Sequence, residues 1–499
     1  MDYEFLAPCP RKLKAGKGAF ALPKAVRVTA PAAAAAEAAE LRRDLAGLAG
    51  VRLSARAPFE VALRLSPRAA RREGYRLELS AGGATVVAAD RAGLYYGTQT
   101  LLQILVLGDR GKLQPVRIED WPEFRTRSFM IDMGRSTFPV PFLERIVRIL
   151  ARLKMNTLHL HLNDDQLCGL RFRKLPLGRE NPAAITLKQL AELVRYARRR
   201  HVTILPEIEC WGHAQSTIYH YPELYGGPGM WGGMSFGIGE PTYRLFEKIF
   251  DELLPALEKD CAVHVGLDEA EWHLLSSVPE SKKGEYTPTT LVGRLHAIVQ
   301  AAARRHGRRA TMHLWADHGG RPLPKGLENK VVIQPWNYAH RQEPIIRKKM
   351  RKYAGRGKTP LMMGAGMSSV AFGGSFAATR IWCRLGAGKP NVEGVTVCHW
   401  EDNDLPEKFI GLYLGADYAW SPATPKDRKN DPYDEGLRAD AGRLMRRWQA
   451  AFRDADDEHM RRDRGPQVFR GYYCWGRRAG RPVAPTVEMA RPDDGGAFG

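Results

Sequence analysis

Residues 25–29 (AVRVT) and 59–65 (FEVALRL) alternate apolar with polar side chains, the period-two pattern of half-buried strands. A hairpin pattern follows, in which 74–79 (GYRLEL) and 85–89 (TVVAA) flank a turn at Ala81, Gly82 and Gly83. The Ala-rich segment 32–48 and the stretch 92–107 carry apolar residues at helical spacing instead. Residues 1–117 therefore read as a separate, smaller α/β domain. The segment IEDWPEF (118–124), with its Trp-Pro break, reads as the linker out of it.

From about residue 125 the rhythm changes, and short apolar runs alternate with long amphipathic ones. The runs at 127–133, 157–162, 203–208, 262–267, 310–315, 331–336, 361–364 and 394–400 predict eight strands. Helical patterns fill gaps between them, among them 141–154, 187–200, 241–258 and 289–306, with 406–420 after the last strand and an extra helix at 432–453. Eight βα repeats close a (β/α)8 TIM barrel, placed here at 118–455. The expected class is thus α/β, a barrel preceded by a smaller N-terminal α/β domain. Residues 456–499, polar and rich in Arg, Gly and Pro, read as a poorly packed tail.

Composition narrows the function more than the fold. Hydrophobic residues are 44% and charged residues 26% of the 499, enough for a sizeable core. No run approaches the roughly 20 apolar residues that span a bilayer, so no membrane partner is expected. The start, MDYEFLAPCPRKLKAGKG, lacks an apolar signal core, and the seven cysteines are odd in number and scattered without CxxC spacing. Reduced thiols in a cytoplasmic protein are the expectation. The net charge of +21 is dispersed over short basic groups such as Arg198-Arg199-Arg200 and Arg446-Arg447. Without a basic stripe on a recognisable module, nucleic acid is not an expected partner.

Barrel chemistry sits where strands end, so those positions carry the functional reading. Arg135 follows strand 1, and Asn163, Asp164, Asp165 and Gln166 follow strand 2. Strand 3 ends on Glu207 and Glu209 with His213 shortly after, and strand 4 delivers Asp268 and Glu269. Strands 5, 6 and 8 end on Trp315, Trp336 and Trp400, with Asp317, Glu401 and Asp402 close by. Carboxylates for proton transfer beside indoles that cover apolar ring faces suit a sugar. His159, His161 and His264 alternate along strands and read as buried polar anchors. No histidine pair has the i, i+4 spacing of a zinc peptidase, so neither metal nor cofactor is expected.

These residues resemble glycoside hydrolase family 20, the β-N-acetylhexosaminidases, to about residue 422. The matching stretches run in order: YRLELSAGGATVVAADRAGLYYGTQTLLQIL, MIDMGRSTFPVPFLERIVRILARLKMNTLHLHLNDDQ, YARRRHVTILPEIECWGHAQSTIYHYPEL, HVGLDEAEW, HLWAD, VVIQPW, HWEDND and YAWSP. The resemblance implies exo-hydrolysis of β-linked GlcNAc or GalNAc by a retaining mechanism in which the substrate's own acetamido oxygen is the nucleophile. By motif position, Glu269 is implied as general acid and then base, and Asp268 as the residue that steers the acetamido group. Asp164 and His213 are implied as a supporting pair. Arg135 and Asp402 would hold hydroxyls, and Trp315, Trp336 and Trp400 would wall the acetamido pocket. Two acids so close should have their pKa values pushed apart, keeping Glu269 protonated near neutral pH.

The chain departs from the family pattern in places. Leu267 stands where a glycine is usual, CWGH replaces PGH, and Asp402 replaces a commoner Glu. The loop MMGAGMSSVAFGGSF, similar to that of a cytosolic branch, lacks the expected tyrosine that bonds the acetamido oxygen. Two alternatives therefore stay open beside the hexosaminidase reading. One is a non-catalytic glycan-binding protein on the same fold, and the other is a glycosidase for a modified amino sugar.

Overall fold

All eight runs read as barrel strands pair side by side. The structure, a computed structural model, describes residues 3–68, 71–136, 138–229, 233–269, 287–316, 323–338, 343–354, 359–366, 375–400, 405–422 and 435–454, with short pieces beyond. The barrel strands are Thr126–Asp132, Thr157–His161, Thr203–Glu207, Asp260–His264, Arg309–Trp315, Val331–Gln334, Leu361–Gly366 and Val392–His399. They are called barrel strands 1 to 8 below. Each pairs in parallel with the next, and strand 8 pairs with strand 1 to close the barrel. Strand 2, TLHLH, is buried at every position. Leu158 and Leu160 join the main apolar core, while His159 and His161 meet Glu207 of the neighbouring strand.

Helices fill the outer ring for reasons visible in their sequences. Val140–Arg152 places Phe142, Leu143, Ile146, Val147 and Leu150 on a buried face. Leu187–Arg198 starts with a reciprocal capping box between Thr186 and Gln189, which satisfies orphan N–H groups at the helix start. Two further outer helices, Glu343–Tyr353 and Ser375–Gly386, fill gaps in the βα rhythm for which no helix bounds were read from the sequence.

The N-terminal domain is a seven-stranded mixed sheet in the order Lys12–Ala15, Val116–Asp120, Tyr75–Ser80, Gly83–Ala88, Glu60–Leu65, Ala25–Thr29 and Arg52–Leu53. Helices Ala35–Gly47 and Arg91–Leu107 accompany it. The segment read as a linker from residue 118 contributes Ile118, Glu119 and Asp120 to this sheet, so the sheet extends past the boundary drawn at 117. The extra C-terminal helix is Glu435–Phe452, whose Trp448 indole donates to the Phe5 carbonyl at 3.0 Å. The tail from 456 lies almost wholly outside the described residues.

Candidate active site

Asp268 and Glu269 follow barrel strand 4 in a segment that leaves regular strand geometry. Gly266 has φ +65°, and a Cβ there would lie 2.0 Å from Glu209 Oε2, so glycine is required. Leu267 (φ 78°) and Glu269 (φ 45°) are left-handed without being glycine, as is His213 (φ 49°). Each costs roughly 1–2 kcal/mol of backbone strain, which the surrounding packing holds in place. The position where the family pattern has glycine is thus a left-handed one, and the buried Leu267 occupies it under strain.

The structure brings the expected carboxylates and histidine together. His213 Nε2 lies 3.4 Å from Glu269 Oε2 and 3.9 Å from Asp268 Oδ2. On its other side, His213 Nδ1 lies 3.3 Å from Asp164 Oδ1 and 3.4 Å from Asp165 Oδ2. Arg135 lies close by, with Nη2 at 2.8 Å from Asp164 Oδ2 and Nη1 at 2.9 Å from Asp132 Oδ2. Its guanidinium carbon is also 5.7 Å from the Trp400 ring centre. Asp132, which the sequence reading passed over, fixes that arginine from both its side chain and its backbone N–H.

The tryptophans gather on the same end of the barrel. Trp315 and Trp400 are 5.9 Å apart between ring centres, and Trp336 stacks on Tyr338 at 5.2 Å. Met130, Trp315, Tyr338 and Cys398 form a small buried cluster with Trp336 and Trp400 against it. The Trp400 indole N–H donates to the Tyr338 hydroxyl at 2.8 Å. Tyr338 was missed by the sequence reading, although it stands only two residues after Trp336 in QPWNY. Asp402, with Asp317 and Glu401, lies outside the described residues, as does most of the loop after barrel strand 7.

Glu207 proves not to be a rim residue. Its side chain is fully buried inside the barrel, where Oε1 meets Trp315 Nε1 at 2.6 Å and His264 Nδ1 at 2.9 Å. Oε2 meets His161 Nδ1 at 2.8 Å and His159 Nε2 at 3.0 Å. His161 in turn reaches Asp164 Oδ2 with its other ring nitrogen at 2.8 Å.

Electrostatics sort these groups. Burial would raise Asp164, but Arg135, His213 and His161 outweigh it and hold the carboxyl well below its ordinary value. Burial likewise opposes, and His264, His161 and His159 overcome, for Glu207, which is also held well below. His213 is pushed well above an ordinary imidazole, because Asp164, Asp165 and Glu269 more than offset its burial. Glu209 is pushed well above the carboxylate range by burial and by Asp268 and Glu207. Asp268 is raised too, by burial first, with His213 opposing and Glu207 and Glu269 adding to the rise.

Three sets, His159/Glu207/His264, His161/Glu207/Glu209 and Asp164/Asp165/His213, bring ligand-type atoms within 4.8 Å of one another. Hydrogen bonds and ion pairs among those same atoms account for the clusters, and no ion is assigned to them. A cavity of about 440 Å³ opens at the opposite end of the barrel, lined by Arg72, Arg125, Arg198, His201 and His313 among others. None of the described rim acids lines it. Its arginines are paired, Arg198 with Glu258 at 3.3 Å and Arg125 with Glu393 at 3.5 Å.

Comparison with known proteins returns one family. Residues 124–357 match the model of the glycosyl hydrolase family 20 catalytic domain, and residues 4–121 match that family's domain 2. A beta-N-acetylhexosaminidase from Cellulomonas fimi is 30% identical over 316 residues, covering 58% of this chain and 59% of that protein. A beta-hexosaminidase from Porphyromonas gingivalis is 27% identical over 312 residues, covering 53% of this chain and 40% of that one. The chain therefore spans less than two thirds of the length of these relatives. Among solved structures, the beta-N-acetylhexosaminidase from Bacteroides fragilis superposes with a TM-score of 0.72 at 21% identity, over 91% of this chain and 96% of that one. That likeness establishes a shared fold.

Proposed function

The chain belongs to glycosyl hydrolase family 20, and from that premise we propose that it is an exo-acting β-N-acetylhexosaminidase. Its substrate is a terminal β-linked N-acetylglucosamine or N-acetylgalactosamine, and the anomeric configuration is retained. The observation that carries this reading is the meeting of Asp268, Glu269 and His213 beside three tryptophans at one barrel end.

In the proposed reaction, the acetamido carbonyl oxygen of the substrate attacks the anomeric carbon. The bond from that carbon to the leaving oxygen breaks, and Glu269 gives its proton to the leaving oxygen. Asp268 holds the acetamido nitrogen as positive charge grows on the resulting oxazolinium ring. A buried carboxyl already pushed upward takes full charge most readily when such a cation arrives beside it. Water then attacks the anomeric carbon, returns a proton to Glu269 and reopens the ring. Two inversions at one carbon give net retention. Trp315, Trp336 and Trp400 press the acetamido arm inward, so part of the entropy of attack is spent on binding. Arg135, fixed by Asp132 and Asp164, offers its planar fork to sugar hydroxyls. Asp402 is assigned to outer hydroxyls.

Replacing Glu269 with Gln should lower kcat on an aryl β-N-acetylglucosaminide by about 10²–10⁴-fold, with binding of N-acetylglucosamine changed only a few-fold. Unchanged turnover in E269Q would sink the assignment of the acid. A wild-type panel of aryl β-GlcNAc, β-GalNAc, β-Glc and sulfated β-GlcNAc checks the substrate class. Cleavage confined to a modified sugar, or to none, would replace this reading with one of its alternatives.

A further inference from the structure

Behind Glu269 lies a file of alternating acids and imidazoles that reaches into the centre of the barrel. Glu269 is followed by His213 at 3.4 Å, Asp164 at 3.3 Å, His161 at 2.8 Å and Glu207 at 2.8 Å. The last two contacts are the shorter ones, and they join side chains that are fully buried. We propose that His161, clamped between Glu207 and Asp164, is a permanent imidazolium that acts as a positioning residue, setting through Asp164 and His213 the pH range over which Glu269 delivers its proton. This rests on the reading of Glu269 as the acid.

The geometry demands a doubly protonated ring. Both His161 nitrogens sit 2.8 Å from carboxylate oxygens, and an ionised carboxylate only accepts. A neutral imidazole has one N–H, so one of those contacts would set lone pair against lone pair. His159, two residues earlier on the same face, makes the contrast. Among the described residues it touches a carboxylate through one nitrogen only, at Glu207 Oε2, and burial pushes it down to about 4. For His161, burial works in the same direction, but Glu207 and Asp164 overcome it and raise the ring to about 10.

The groups facing His161 come from several elements. Glu207 and Glu209 stand at the end of barrel strand 3, the latter at 3.9 Å, and Asp132 ends barrel strand 1. Asp164 follows barrel strand 2, with Arg135 and His213 beyond it. Asp268 acts from the end of barrel strand 4, and His159 from His161's own strand. The Trp400 ring closes the remaining side edge-on at 5.0 Å. Within this set, His161 and Glu207 carry opposite charges into a site shielded from water, and removing either leaves an unbalanced charge along the file.

The test is the pH profile of kcat/KM on an aryl β-N-acetylglucosaminide for wild type, His161→Gln and Glu207→Gln. H161Q deletes a positive charge, so the site's acids hold protons more tightly and the alkaline limb should move up by about one pH unit. E207Q deletes a negative charge, and the limb should move down by a comparable amount. A role confined to packing would lower kcat while leaving the alkaline limb in place in both variants, and that result overturns the proposal, as does a shift of the alkaline limb in the same direction in H161Q and E207Q. Where a variant fails to fold, neutron diffraction of the wild type at pH 7 decides. Deuterium on both ring nitrogens of His161 supports the proposal, and deuterium on only one overturns it. Absence of any turnover in the wild type would instead overturn the parent assignment, and this inference with it.

Discussion

Tyr338 holds the Trp400 indole N–H with its hydroxyl while its ring lies against Trp336, so one side chain orients two of the three tryptophans. Substituting Phe keeps the stack and removes the acceptor, leaving Trp400 free to turn. We expect kcat/KM on an aryl β-N-acetylglucosaminide to fall about tenfold in Y338F, the worth of one lost hydrogen bond of about 1.4 kcal/mol. Kinetics indistinguishable from wild type would show that packing alone positions Trp400. The tyrosine expected from the family pattern was sought in the loop after strand 7, which lacks it, whereas this hydroxyl comes from the segment after barrel strand 6. Sequence spacing conveyed which residues end a strand, and so the grouping of Asp268, Glu269, His213, Asp164 and Arg135 was legible. It conveyed the face on which His161 lies but not its neighbours, because Asp164 and Glu207 reach it from separate loops and strands. The strained backbone at Leu267 had only a weak signal, a bulky residue in place of a usual glycine.

Barrel strands were legible because most of their positions are buried, so that they read as short, largely apolar runs. Elements that bury little gave no such signal. The strand Lys12–Ala15 is exposed at every position on a sheet edge, and Glu343–Tyr353 buries only Ile346 and Met350 in a run crowded with basic residues. The strand Val116–Asp120 was masked by the Trp-Pro step that follows it. Barrel strand 7, LMMGAG, shows what an element contributes beyond its own pairing. A Cβ at Gly364 would meet Trp336 Cβ at 2.8 Å and Trp315 Cζ3 at 3.2 Å. The bare backbone there is what lets the two indoles approach the barrel wall. Gly364→Ala should displace both, costing about 1–3 kcal/mol by overpacking and lowering kcat/KM by more than tenfold while the fold persists. Circular dichroism with tryptophan fluorescence would separate the two effects. A native emission spectrum together with full activity would refute the close-approach argument.

At the scale of the whole molecule, the two domains are fastened by an ion pair with no access to water. Lys154, just beyond the helix Val140–Arg152, places Nζ 2.9 Å from Asp120 Oδ2, and both side chains are fully buried. Asp120 belongs to the N-terminal sheet, where the Tyr75 hydroxyl donates to it at 2.7 Å. The Trp420 indole N–H, from the end of the helix Leu405–Trp420, reaches the other oxygen at 2.8 Å. First domain, barrel and last barrel helix thus share one carboxylate. None of this was readable from local pattern, since the partners are far apart in the chain. A buried pair of this kind does not by itself add stability over an apolar replacement, but breaking it strands a charge. Lys154→Met keeps the length of the side chain, leaves Asp120 with neutral donors only, and should destabilise by about 3–5 kcal/mol in urea unfolding. Adding Asp120→Asn removes the stranded charge, keeps an oxygen for the Trp420 indole N–H, and turns the other bond round, so that the amide N–H donates to the Tyr75 hydroxyl. The double variant should then be more stable than K154M alone, with the two domains unfolding in a single transition in each case. If the double variant were as unstable as the single one, the cost would lie in lost packing around the Lys154 stem, and the buried carboxylate would not be what ties the domains together.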